Sequence, residues 1–183
     1  MVRRTPSALR LAAALLLTLS LLGADAPAGD GAAKPANKDG SRVQWLAFDA
    51  AVAKAQKENK HLIVDIYTNW CGWCKVMDRQ TYGNSEVADY LTANFALAKV
   101  NGESPSKLTW NGKTISEREF AKAVGVTGYP STYFMKPNAE LLGGVSGYIK
   151  SPDMMIYAKY VHTKFYEKGK LQQFADSLRK VGS

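Results

Sequence analysis

One short stretch, residues 62–75, constrains this chain more than any other. It opens at positions 62–66 with residues that are apolar and mostly β-branched apart from Asp65, which predicts a buried strand over Leu62–Thr68. The run leads into Cys71 and Cys74, and the helical pattern after them places both at the start of a helix. These are the only 2 cysteines among 183 residues.

The spacing of the two cysteines favours redox chemistry over a structural crosslink. Two intervening residues on the first turn of a helix bring the sulfurs within disulfide reach, but the closed loop is too short to remove much chain entropy. Cys71 would face unpaired backbone N–H groups and the positive end of the helix dipole, which favour the nucleophilic thiolate. Cys74, expected to be the less exposed sulfur, would attack the mixed disulfide that Cys71 forms.

Metal binding is the main alternative for this cysteine pair. A structural zinc site needs four ligands, and the only histidines are His61 and His162. Haem attachment would require histidine after Cys74, where Lys75 stands. We therefore predict no metal, while binding of Cu(I) by two soft thiolates stays open as an alternative.

The motif and its surroundings resemble the thioredoxin family over about residues 43–183. The resemblance is strongest to secreted members, including the soluble reducing domain of a bacterial transmembrane electron transporter. It implies a thioredoxin fold: an α/β protein with a central mixed sheet flanked by helices. The matched positions outside the motif are Asp65 (a buried acid), Lys99 (its neighbouring lysine), Tyr129-Pro130 (the cis-proline segment) and Gly147 (beside the substrate groove).

The resemblance also implies a role for each matched residue. Asp65 would take the proton of Cys74, and burial requires this carboxyl group to have a raised pKa or a partner such as Lys99. A cis bond before Pro130 would expose the backbone of Tyr129, so that an extended substrate could pair with it. The residues expected to bind substrate are Trp70, Gly72, Trp73, Tyr129, Pro130 and Gly147.

Trp73 departs from the family pattern, because cytosolic thioredoxins usually carry proline there. The two residues between the cysteines also lack the imidazolium that oxidising members use there. We therefore favour a reductase that acts through a redox-active disulfide and needs no organic cofactor. A disulfide-forming oxidase, a copper-delivery protein and a non-catalytic binding module remain alternatives. The expected partners are substrate proteins with disulfides or thiols and, for a reductase in an oxidising compartment, a membrane electron donor.

The N-terminal region predicts export. Residues 1–24 carry three arginines before an apolar core too short to span a bilayer comfortably, which is typical of a signal peptide, although an uncleaved anchor is the alternative. Residues 25–41 predict a flexible linker, and 42–183 a thioredoxin-like domain in a periplasmic or secreted, monomeric protein. The net charge of +8 would fall to +5 without the three arginines, and no basic run suggests nucleic-acid binding.

Periodicity and capping signals divide the domain into further elements. A polar stretch from Gly102 to Lys113 predicts a loop, and Ser116 with Glu119 predicts a capping box at the start of a helix. The predicted helices are 45–59, one from 71, 85–94 with Ser85 as its N-cap, 116–124, 151–168 and 171–181. The predicted strands are 62–68, 95–101, 131–136 and 141–149.

Overall fold

The computed structural model describes residues 40–181. The predicted signal peptide (1–24) and residues 25–39 of the predicted linker lie outside this range. Within it, no helix is long and apolar enough to cross a bilayer.

The described chain mixes helices and strands over most of its length and then ends in helices. In chain order the elements are α1 (Phe48–Glu58), β1 (His61–Tyr67), α2 (Gly72–Gln80), α3 (Ser85–Asn94), β2 (Phe95–Asn101), β3 (Lys107–Trp110), β4 (Lys113–Ser116), α4 (Glu117–Ala123), β5 (Ser131–Met135), β6 (Leu141–Ser146), α5 (Ser151–His162), a 3-10 turn (Phe165–Glu167) and α6 (Leu171–Val181).

The main sheet has four strands in the order β2-β1-β5-β6. β1 pairs in parallel with β2 and antiparallel with β5, and β5 pairs antiparallel with β6. The central mixed sheet is therefore confirmed. β1 lies in its middle and is buried along nearly its whole length, as its apolar sequence predicts.

Alternate residues of β1 enter two different cores, because successive side chains of a strand point to opposite faces. Leu62, Val64 and Ile66 join the core under α1 and α4. Ile63 joins the core under α2, α3 and α5. Asp65 shares the parity of Ile63, so the one charged residue of the strand's buried centre lies on the face that α2 covers.

The start of the first helix differs from the prediction. The helix begins at Phe48 rather than Trp45, because Leu46 instead exchanges backbone hydrogen bonds with Leu97 and Lys99 of β2. Trp45 and Phe48, which both fall within the predicted helix, are buried in different cores. Asn59 ends the helix in a left-handed conformation, as expected.

The predicted loop 102–113 is wrong over its second half. Residues 107–116 form the hairpin β3–β4, whose two-residue turn is Asn111-Gly112 with φ of 50° and 73°. Both central residues have positive φ, as a type I′ hairpin turn requires. The hairpin closes one core by adding Leu108, Trp110 and Ile115.

Three other element boundaries are corrected, and one is confirmed. The N-cap of α3 is Asn84, whose side chain accepts the N–H of Val87, and Ser85 is the first helical residue. β6 ends at Ser146 and α5 at His162, each shorter than predicted. The capping box of α4, formed by Ser116 and Glu119, is confirmed.

The C-terminal helix α6 covers aromatic side chains near the end of α5. Phe174 of α6 lies with its ring centroid 5.7 Å from Tyr160 and 5.1 Å from Phe165. Leu171, at the start of α6, also lines an apolar cavity of about 380 Å³ beside β6 and α5. The helix thus extends the core that α5 begins.

Candidate active site

The two cysteines lie at the tip of α2 and are joined by a disulfide, with a Cα–Cα distance of 5.3 Å. Cys71 is the N-cap of the helix, and its Sγ accepts the backbone N–H of Cys74 at 3.0 Å. The chain reaches this point from β1 through a tight turn in which the N–H of Cys71 donates to the carbonyl of Thr68. Cys71 therefore occupies the position that stabilises negative charge.

The disulfide is buried between two exposed tryptophans. Cys71 and Cys74 are 3% and 4% exposed, so the expected difference in exposure between them is absent. Trp70 and Trp73 are 67% and 62% exposed. Such large exposed aromatic surface around a reactive group is typical of a contact site for another molecule.

Each tryptophan is held by neighbours. The Trp70 indole donates to Glu103 Oε2 at 3.0 Å and meets the ring of Tyr129 edge-on, with centroids 5.9 Å apart. The Trp73 ring lies over Tyr148 at 5.6 Å, with the two planes tilted by 36°. Each ring is therefore packed on one neighbour, and most of its surface stays exposed.

The Tyr129–Pro130 peptide bond is cis, as the resemblance implies. The carbonyl of Pro130 accepts the N–H of Gly147 at 2.8 Å, so this segment is joined to the end of β6. Gly147 has a φ of +92°, and a side chain there or at Gly72 would meet no atom within 4 Å. Both glycines therefore border open space.

Tyr129 rests on a glycine that the sequence analysis did not single out. A Cβ at Gly102 would come within 2.6 Å of the Tyr129 ring carbon Cε1. Only glycine therefore leaves room for the ring at its observed position. The N–H of Gly102 donates to the carbonyl of Tyr67, so the backbone against which the Tyr129 ring rests is joined to the end of β1.

Asp65 lies on β1, a central strand of the sheet, and is 2% exposed. Its Oδ1 accepts a hydrogen bond from the Tyr82 hydroxyl at 3.3 Å, and its Oδ2 lies 3.7 Å from Lys99 Nζ. Burial raises the pKa of Asp65 to about 6 from the usual 3.8, although the Lys99 charge acts against this rise. The structure thus brings Asp65 and Lys99 together as predicted, in register on β1 and β2.

Lys99 makes its shortest contacts with a second acid, Asp78. Its Nζ donates to Asp78 Oδ1 at 2.5 Å and to Oδ2 at 2.6 Å. The ammonium also lies 5.4 Å from the ring centroid of Trp45 and 5.2 Å from that of Tyr67. Asp78 was missed in the sequence, although its spacing of four residues from Cys74 would place it on the same helical face.

The two histidines are each hydrogen-bonded to a tyrosine. His61 Nε2 lies 2.9 Å from the Tyr166 hydroxyl, and His162 Nδ1 lies 2.8 Å from that of Tyr90. Among residues 40–181, no three His, Cys, Asp or Glu side chains are grouped so that they could hold a metal ion.

Comparison with known proteins agrees with this geometry. The family of thioredoxin-like domains matches residues 48–162, which is more than half of the chain. This chain belongs to the thioredoxin-like domain family. Together with the Cys71–Cys74 disulfide, this membership confirms the resemblance to thioredoxin-family thiol–disulfide oxidoreductases and the thioredoxin fold.

Individual relatives show how far the similarity extends. The thiol:disulfide interchange protein DsbD of Pseudoalteromonas atlantica is 25% identical over 116 residues, which cover 62% of this chain. A candidate disulphide-isomerase from Bacteroides thetaiotaomicron is 30% identical, with a TM-score of 0.52 over 72% of this chain and 97% of that one. A thioredoxin-fold protein from Helicobacter pylori shares the fold, with a TM-score of 0.58 at 16% identity over 68% of this chain and 87% of that one.

The curated relatives are longer proteins. This chain spans between 8% and 18% of their length, so the similarity concerns a part of each.

Proposed function

We propose that this chain is a thiol–disulfide oxidoreductase that reduces disulfides in substrate proteins. The observation that carries the proposal is the Cys71–Cys74 disulfide at the tip of α2, where Cys71 Sγ accepts a helix N–H. Two cysteines in this position can pass between dithiol and disulfide without a bound cofactor. The name of DsbD, a thiol:disulfide interchange protein, agrees with this class of reaction.

The reaction begins when the Cys71 thiolate of the reduced protein attacks a substrate disulfide. One substrate sulfur leaves as a thiolate and takes a proton, while the other becomes joined to Cys71 in a mixed disulfide. Cys74 then loses its proton, for which Asp65 is the proposed acceptor, and attacks Cys71 Sγ. The second substrate thiol is released, and two electrons have passed to the substrate.

The substrate would bind across the aromatic surface around the disulfide. Trp70, Trp73 and Tyr129 supply apolar contact, and the open space above Gly72 and Gly147 leaves room for an extended chain. Within residues 40–181, no backbone hydrogen bond involves the N–H of Tyr129, so this group can pair with a substrate strand. Pro130 fixes the direction in which that backbone faces.

Reduction is favoured over oxidation because the residues between the cysteines, Gly72 and Trp73, provide no cation to stabilise the reduced state. Each turnover ends with the disulfide seen in the structure, so a dithiol donor must restore the thiols. The apolar N-terminal segment supports export, and we propose that the protein works outside the cytoplasm with a membrane-bound donor.

The trapping experiment uses Cys74→Ser in the full chain. This variant should remain covalently joined to its substrate through Cys71, and mass spectrometry would identify the partner. The Cys71→Ser variant is the matched control, because it keeps one thiol but should trap far less. Equal trapping by both variants would contradict the assignment of Cys71 as the nucleophile.

The direction of electron transfer is tested by equilibrating the wild-type protein with a glutathione or dithiothreitol redox buffer and measuring the fraction of Cys71 and Cys74 that is reduced. A reduction potential of about −270 mV, as in thioredoxin, supports a reductase, whereas one of about −120 mV, as in strong oxidants, would indicate a disulfide-forming oxidase.

A further inference from the structure

The buried face of α2 carries an acid as well as the second cysteine. Cys74, Met77 and Asp78 are the buried residues of this helix, at relative positions 0, +3 and +4, so they share one face. That face covers the side of the sheet on which Asp65 and Lys99 are paired across β1 and β2. The acid lies one helical turn beyond the cysteine that resolves the mixed disulfide.

Two buried carboxylates share a single ammonium in this cluster. Lys99 is held by Asp78 at 2.5 and 2.6 Å but lies 3.7 Å from the nearest oxygen of Asp65. Only 12% of the Lys99 side chain and 3% of each acid are exposed. With all three groups charged, the cluster has a net charge of −1 in a poorly solvated place, which favours uptake of one proton.

The geometry decides which acid takes that proton more readily. Asp78 makes two short, charge-assisted hydrogen bonds, which favour its ionised form. The partners of Asp65 are more distant: the Tyr82 hydroxyl lies at 3.3 Å and the Lys99 ammonium at 3.7 Å. The rings of Trp45 and Tyr67 also lie near the ammonium, with centroids 5.4 and 5.2 Å from Lys99 Nζ, and they occupy part of the space around it.

We propose that Asp78 is a positioning residue of this site: its carboxylate holds the Lys99 ammonium away from Asp65, and Asp65 thereby remains able to accept and release a proton. The inference rests on the proposed function, in which Asp65 serves Cys74. Asp78 itself touches neither substrate nor the reacting sulfurs in this scheme. It acts through the lysine.

The ionisable groups that act on Asp65 are Lys99 from β2, Asp78 from α2 and Tyr82 just after α2. Tyr67 of β1 faces the same lysine and is in turn affected by Glu117 of α4. The two cysteines do not titrate while they form the disulfide. The oxidised protein therefore isolates the behaviour of the acid–lysine cluster.

The test measures the titration midpoint of the Asp65 carboxyl carbon by NMR in the oxidised full chain. In Asp78→Asn the lysine is released towards Asp65 and a nearby negative charge is lost, and both changes favour the ionised form of Asp65. The midpoint should fall by at least about one pH unit. Asp78→Glu, which retains the charge, should restore most of the wild-type midpoint, and an unchanged midpoint in Asp78→Asn would overturn the proposal.

A double-mutant cycle separates the holding of Lys99 from direct repulsion between the two acids. In the Lys99→Met background there is no ammonium to release, so Asp78→Asn should shift the Asp65 midpoint by less than half as much as in the wild type. An equal shift in both backgrounds would show that the acids interact directly and that Asp78 does not position the lysine.

The wild-type protein offers a test that needs no variant, should Asp78→Asn fail to fold. NMR should detect hydrogen-bond coupling from the Lys99 ammonium to the Asp78 carboxylate carbon, and coupling to Asp65 instead would overturn the proposal. None of these measurements requires turnover. A protein that exchanges no disulfides would therefore disprove the proposed function while leaving the positioning of Lys99 separately testable.

Discussion

Asp65 places a carboxylic acid in the middle of a sheet, which makes folding stability depend on pH. Its folded-state pKa is raised to about 6 from 3.8, with burial as the first cause. The folded protein therefore binds this proton more tightly than the unfolded chain does. The resulting stabilisation is complete below about pH 4, the unfolded-state pKa, and is lost as the pH rises through about 6.

Asp65→Asn should remove this dependence, because the amide stays neutral at every pH. We expect its free energy of unfolding to exceed that of the wild type by about 2–3 kcal/mol at pH 7.5 and to differ little at pH 4. Urea unfolding of the oxidised proteins at the two pH values measures the change. Asp89→Asn, at an exposed position of α3, is the control, and it should change the free energy of unfolding by the same amount at both pH values. If Asp65→Asn also changed it equally at both, the assignment of the pH dependence to Asp65 would be contradicted.

Gly102 links a single backbone position to substrate binding. In Gly102→Ala the new methyl group would overlap the Tyr129 ring, which is partly exposed and can swing outwards. The expected result is a several-fold increase in KM for a protein disulfide, with kcat and the reduction potential nearly unchanged. Insulin reduction at varied substrate concentration measures this, and a fall in kcat with constant KM would show that Tyr129 does not bind substrate.

At the scale of elements, the hairpin β3–β4 shows how one turn decides local structure. Gly112 has a φ of +73°, but a Cβ there would meet no atom within 4 Å. Gly112→Ala should therefore destabilise the fold by about 1–2 kcal/mol through backbone conformation alone. Gly143→Ala is the matched control, because that site is equally open and its φ is not positive. Thermal unfolding compares the two, and equal losses would contradict this explanation.

The elements that could be predicted from sequence are those whose signals are local. The capping box of α4 and the strand before the cysteines depend on residues a few positions apart. The hairpin was missed because residues 102–113 are mostly polar, although Asn111-Gly112 is a strong turn signal. Trp45 was placed on α1 because its spacing fits a helix, but pairing of Leu46 with β2 outweighs that local preference.

The residues of the active site also fall into those that could be predicted from the sequence and those that could not. The cysteine pair, the buried acid and the cis proline follow from the motif and the family resemblance. Asp78 and Gly102 could not be assigned from their neighbours in sequence, because each gains its role from a distant partner: Lys99 for the acid and Tyr129 for the glycine. Only the packing of α2 on the sheet and the return of the chain to the end of β1 bring these pairs together.

For the whole molecule, the direction of electron flow is linked to folding stability. The folded protein and the unfolded chain can each exist as dithiol or disulfide, and these four states form a closed thermodynamic cycle. If the folded dithiol is a better reductant than the unfolded one, the oxidised protein must be more stable than the reduced protein by the same free energy. Each 30 mV of difference corresponds to about 1.4 kcal/mol.

We expect the oxidised form to be the more stable one, because a Cys71 thiolate would depend on the start of α2 for its stabilisation, and the residues between the cysteines, Gly72 and Trp73, add no cation. Cys71 Sγ accepts one N–H, from Cys74, and both histidines are engaged with tyrosines. Urea unfolding with and without dithiothreitol should therefore give a lower midpoint for the reduced protein. The double variant Cys71→Ser with Cys74→Ser controls for the reductant itself and should show no difference. A reduced wild type more stable than the oxidised one would reverse the assignment, because a protein that gains stability by accepting electrons oxidises its partners.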